Sequence, residues 1–241
     1  MESSVPEPLA PDHPNLQLAR TRLRRMLRFW ALLFGAMGIV VWITLRQTHP
    51  LAAGQWLFAS VLFALGSQPA YLVLASTLWG LSISNLIPGA ATLLGPDPFV
   101  LLLDTGAFET MVLVFVRLVF VVMSMSQFLF YRILYGTERM TGLDESLPDI
   151  PEVVPNNTNQ LARAAQYLAL VAALGVAAAW FITAADAVRL ILHVSAVLGS
   201  YAVGLGLGAA FSPTDNRGQA LFGVFIGAVG FLGALMSAAR I

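Results

Sequence analysis

Of the 241 residues, 58% are hydrophobic and 11% charged, whereas a soluble domain carries roughly 25% charged residues. A water-exposed fold of this length could not cover so much apolar surface with so few charges, so lipid is the solvent that suits the chain. Thirteen acids balance thirteen bases, so net charge points to no nucleic-acid partner.

The first stretch, residues 1–14, is rich in Pro, Glu and Ser and reads as a disordered tail. Residues 15–28 follow as a short amphipathic helix, with Leu16, Ala19, Leu23, Met26 and Leu27 at three- and four-residue spacing. Arg20, Arg22, Arg24, Arg25 and Arg28 fill its other faces. Such a helix can lie on an anionic lipid surface, gaining about 1 kcal/mol per basic residue. The same cluster obeys the positive-inside rule and puts the N-terminus in the cytoplasm.

The first span is Phe29–Leu45, bracketed by Arg28 and Arg46, with Trp30 and Trp42 read as interfacial anchors near its ends. From Leu51 to Leu103 the chain is almost continuously apolar but carries Pro69, Pro88, Pro96 and Pro98. One parse is a short span to about Gly66, a turn at Gly66-Ser67-Gln68-Pro69, and a second span from Ala70 to Ile87. The other is a single long helix kinked at Pro69, since membrane helices tolerate proline. The stretch near 88–104 is too broken by Gly and Pro for a span and reads as re-entrant or interfacial, closing the region 29–134 together with a strong span from Glu109 to Leu134.

Residues 135–160 read as an acidic, proline-rich loop carrying Glu138, Asp144, Glu145, Asp149 and Glu152. A Gly/Ala-rich region of three spans follows over 161–238, with the close-packing patterns Gly204-x-x-x-Gly208 and Gly223-x-x-x-Gly227. The expected fold is therefore all-α, a polytopic transmembrane helix bundle of six or seven spans. Seven spans place Arg132, Arg139, Arg163 and Arg217 in the cytoplasm with the leading arginines, whereas six move them outside. The cytoplasmic bias of arginine in short loops favours seven.

In size and span count alone the chain is similar to the microbial rhodopsins. Retinal in that family forms a Schiff base on a lysine, and every base here is arginine, so covalent retinal is excluded. The absence of cysteine excludes disulfides, thiolate metal sites and iron–sulfur clusters. Of the three histidines, His13 lies in the tail, His49 in a loop and His193 in a span, which argues against a bis-histidine haem and against a zinc site. No phosphate-binding loop, paired intramembrane aspartates or serine-protease signature occurs, so no cofactor and no catalytic residue is expected.

What remains is a few polar residues at membrane depth. Arg117 is the sharpest, because a charge there costs about 2.5–3.5 kcal/mol on insertion scales and must find the bundle interior. Asp104 and Glu109 lie towards the outer end of the same segment, and Glu109 precedes Arg117 by two helical turns. With His193 they are the candidate polar sites, readable either as an ion or substrate path or as structural staples. Asn85, Ser124 and Gln127 suggest helix–helix hydrogen bonds. Two functions follow as expectations: a non-catalytic accessory or scaffold subunit of a membrane complex, or a small transporter or channel using Arg117 and Glu109. The expected partners are membrane lipids and other membrane proteins, not nucleic acid. Arginine-only base usage is associated with GC-rich bacterial genomes, so the cytoplasmic membrane of a bacterium is the expected location.

Overall fold

The computed structural model describes residues 14–47, 52–67, 69–87, 93, 107–140, 157–211 and 216–239, and side chains at most of these. The tail, the broken segment near 88–104 apart from Leu93, and the acidic stretch 141–156 lie outside them. The described residues form seven helices and no strand: α1 Pro14–Leu45, α2 Ala52–Ala64, α3 Ala70–Leu86, α4 Ala107–Met140, α5 Asn157–Ala179, α6 Ala185–Ala210 and α7 Arg217–Ala238. Four of them, α1, α5, α6 and α7, contain stretches long and apolar enough to cross a membrane.

Two boundaries differ from the sequence reading. The basic amphipathic stretch and the first apolar run form one helix of 32 residues, because nothing between Asn15 and Leu45 breaks a helix except tolerable glycines. The fourth helix runs on to Met140, past Tyr135-Gly136, where the acidic loop was expected to begin. A lone glycine costs a helix about 1 kcal/mol, too little to end one of this length.

The choice at Pro69 falls to the turn. Gly66 adopts φ 69°, the left-handed conformation a helix C-terminus favours. Its N–H donates to Phe63 O at 3.0 Å and that of Ser67 to Leu62 O at 2.9 Å, the hydrogen-bond pair of a Schellman motif. Pro69 then leads into α3 with helical φ −68° and its carbonyl accepts from Leu72 and Val73 N–H.

Packing follows from small residues. Gly199 of α6 faces Gly227 O and Phe231 N of α7 so closely that an added Cβ would lie 2.7 Å from either. Gly223 and Gly230 of α7 meet Ala165 and Ala172 of α5 in the same way. The α5 face turned inward is an alanine stripe, Ala162, Ala165, Ala169 and Ala172, each fully buried. Gly204 and Gly208 seat α6 on Ser76 and Leu72 of α3. Both glycine patterns thus make contacts inside the bundle.

α3 is the central helix, buried at every position from Ala70 to Leu78. Its hydroxyls bond backward along their own helix, Ser76 to Leu72 O at 2.6 Å and Thr77 to Val73 O at 2.9 Å, and Thr77 also hydrogen-bonds the side chain of Tyr201 on α6. On its far side α1 and α2 form a hairpin in which Ser60 Oγ donates to Ala31 O at 2.6 Å.

The contacts also give several helix pairs their relative direction. Gly35 meets Ser60 and Gly38 meets Leu57, so α1 and α2 are antiparallel. Leu72, Ser76 and Ser200 pair with Gly208, Gly204 and Gly80, making α3 and α6 antiparallel, whereas Ala165 and Ala172 pair in order with Gly223 and Gly230, making α5 and α7 parallel. Phe58 stacks on Tyr201 with ring centroids 6.1 Å apart and Gly54 lies near His193, so α2 and α6 are parallel. These relations agree with strict alternation along the chain.

Candidate functional site

Arg117 lies on the inner stripe of α4, 3% exposed, in line with buried Ser124 and Phe128. The other faces of α4 carry Met111, Phe115 and Val122, each more than half exposed. This is the polarity expected of a helix in lipid, apolar outward and charge inward. Arg117 lines a cavity of ≈ 250 Å³ enclosed by α1, α2, α3 and α4, together with Trp30, Phe34, Trp56 and Phe120.

Those rings form a connected cluster. Trp30 meets Phe34 edge-on at 6.1 Å between centroids and Phe120 edge-on at 6.2 Å. Phe34 lies 5.3 Å from Trp56, and Phe63 extends the cluster to Tyr71 at 5.1 Å. Such offset and edge contacts add about 0.5–1.5 kcal/mol per pair beyond area burial. Trp30 is therefore no interfacial anchor: it is 7% exposed and part of the cavity wall. Its indole Nε1–H is buried with no hydrogen-bond partner among the described residues. Trp42, by contrast, is 48% exposed at the other end of the span, with the Arg46 guanidinium 5.4 Å above its ring.

His193 occupies a different place. It lines a separate groove of ≈ 240 Å³ between α2 and α6, beside Gly54, Gln55, Phe58 and Tyr201. Its Nδ1 is 2.7 Å from Leu93 O; a carbonyl only accepts, so Nδ1 carries the proton and the tautomer is set by that contact. Successive residues of α2 divide the two spaces, with Gln55 on the His193 groove and Trp56 on the Arg117 cavity. The structure does not bring Arg117 and His193 into one cavity.

Glu109 falls on α4 two turns before Arg117, and Asp104 lies outside the described residues. Arg24, Arg25 and Arg28 are exposed on α1, and Arg20 and Arg22 share that helix. Ser124 Oγ donates at 2.7 Å to Phe120 O of its own helix rather than across to another. Asp186 is in the first turn of α6, where the helix N-terminus itself stabilises a carboxylate. No group of three or more His, Cys, Asp or Glu that could hold a metal ion occurs among the described residues.

The residues missed by sequence are the aromatic ones around Arg117. Trp30 and Phe34 stand four apart, as do residues on one helix face, and Trp56 and Phe63 seven apart. In an apolar chain that spacing has no polar background to stand out against. Comparison with protein-family models, with curated proteins and with solved structures finds no match.

Proposed function

We propose that the chain is a seven-span membrane protein, N-terminus in the cytoplasm, acting as a non-catalytic scaffold or accessory subunit of a larger membrane complex. One observation supports this reading: two helices are longer than a bilayer's hydrocarbon core needs. With 32 and 34 residues, α1 and α4 reach about 48 and 51 Å at ~1.5 Å per residue, against a hydrocarbon core of about 30 Å. With strict alternation in a membrane, the N-terminal part of α1 and the C-terminal part of α4 would leave on one face. The first surplus carries the five leading arginines; the second carries Arg132, Glu138 and Arg139 and leads into the acidic stretch. A platform with charges of both signs beside the lipid suits steering and docking of a partner. Arginine-only base usage points to a bacterial cytoplasmic membrane as its setting.

The alternation also supports seven spans over six, since it keeps those arginines on one side. α2, at 13 residues, is short for a span, and tilting neighbours or local thinning of the bilayer accommodates such a helix at modest cost. The transport reading through Arg117 and Glu109 is the weaker one, because Arg117 and His193 open onto separate spaces.

Native mass measurement in lipid nanodiscs tests the proposal. We expect an assembly heavier than copies of the 25.8 kDa chain account for, dissociated when Arg24, Arg25 and Arg28 are all changed to Glu. A lone monomer extracted from native membranes would contradict it.

A further inference from the structure

Along α1 the arginines and the outward apolar residues share one stripe. Arg25, Leu32 and Ile39 recur at seven-residue steps, and Arg28 and Phe29 stand beside them, four and three residues before Leu32. All five are exposed, whereas Leu27, Trp30 and Phe34 bury the opposite face. In a bilayer the apolar part of this stripe meets acyl chains, and its basic end continues the same wall to the level of their headgroups. The helices around it supply no nearby acid. α1, α2 and α3 contain no Asp or Glu. On α4, Glu109 and Glu138 stand eleven and eighteen residues from Phe120, the ring that meets Trp30, about 16 and 27 Å along the axis. A guanidinium binds phosphate oxygens as a fork, so these exposed charges select an anionic headgroup.

The stripe also leads to an opening. Arg25, Phe29 and Leu33 follow at four-residue steps, and Leu33, with Val116 and Phe120, forms the exposed rim of the α1–α4 cavity. Arg25 stands eight residues before Leu33, about 12 Å along the helix, a distance that one phospholipid spans from its phosphate to its acyl chain. Arg117 is already engaged within the protein, and the open wall of the cavity is apolar. A hydrocarbon chain therefore gives up no hydrogen bond there and supplies the contacts that an empty space lacks. From this continuity of charge and apolar surface we infer that an anionic phospholipid binds α1 from the bilayer side. Its phosphate lies on Arg25 and Arg28, and one acyl chain enters the α1–α4 cavity. The inference rests on α1 crossing a membrane and not on the scaffold reading.

The test uses the purified full chain in detergent micelles, where no partner protein is needed. It is titrated with phosphatidylglycerol carrying brominated acyl chains, and in parallel with phosphatidylcholine carrying the same chains. Tryptophan fluorescence is the readout, because bromine quenches on contact and Trp30 and Trp56 line the cavity. Exposed Trp42 and Trp180 are quenched by either lipid, so the difference between the two titrations reports the site. We expect phosphatidylglycerol to half-saturate at a mole fraction lower by about fivefold or more, the effect of one arginine at a charged surface. The double variant Arg25→Gln, Arg28→Gln removes that difference, and both side chains are exposed, so the fold is kept. Val116→Phe, at the exposed rim, narrows the opening and reduces the extra quenching by phosphatidylglycerol. Glycerol phosphate in excess leaves it unchanged, which separates a lipid site from one for free phosphate. Equal titrations with the two lipids, or a preference that survives the double arginine variant, would overturn the inference. So would extra quenching unmoved by Val116→Phe, or displacement of the lipid by glycerol phosphate.

Discussion

At Gly227 the separation between α6 and α7 comes down to single atoms. A Cβ there would lie 2.7 Å from Ala202 Cβ and 3.0 Å from Gly199 O, neither of which can move without shifting a helix. Gly227→Ala is expected to destabilise the protein by about 1–3 kcal/mol, the usual cost of overpacking. Gly218, in the first turn of α7, has nothing within 4 Å of the corresponding position. Gly218→Ala is expected to be neutral or to stabilise by up to about 1 kcal/mol through helix propensity. Thermal melts of both variants in one detergent check the pair, and equal melting temperatures would contradict the close approach. Arg117 was legible at this scale, because one charge in an apolar run has a known cost and one cheap solution. The rings around it were not, since an aromatic residue in a membrane sequence is equally at home against lipid, at the interface or against another ring. Trp30 shows the ambiguity: its place beside Arg28 suits an interfacial anchor, and its contacts with Phe63 and Phe120 put it inside.

Among the elements, the α2–α3 turn rests most directly on one backbone angle. Gly66 has open space around it but a left-handed φ of 69°, so Gly66→Ala should cost about 1–2 kcal/mol from strain alone. Gly66→Asn should cost less, since Asn tolerates that conformation better than Ala. Melting temperatures in the order wild type, Asn, Ala are the expected result, and an unchanged Ala variant would mean that the turn is built differently. This turn could be read from sequence because Gly and Pro both carry local conformational rules. The continuation of α1 through Arg28 and of α4 to Met140 could not. A change from polar to apolar composition marks where water gives way to lipid, and the helix is indifferent to it.

Taken as a whole, the molecule is a three-helix unit, α5, α6 and α7, closed by small residues and joined through α3 to the aromatic-lined group of α1, α2 and α4. The all-helical architecture and its apolar surface follow from composition, whereas the order of packing depends on which small residues face each other, and Gly and Ala are too abundant here to announce that. The central claim is that seven helices alternate in direction across a membrane. The chain has no cysteine, so each introduced one is a unique reporter. Single substitutions Arg24→Cys, Arg163→Cys, Arg217→Cys, Arg46→Cys and Arg189→Cys all fall at exposed positions. Treated in intact cells with a membrane-impermeant maleimide, the variants at 46 and 189 should be labelled and those at 24, 163 and 217 protected until the membrane is opened. Labelling at 163 and 217 together with 46, while 189 stays protected, would contradict the account.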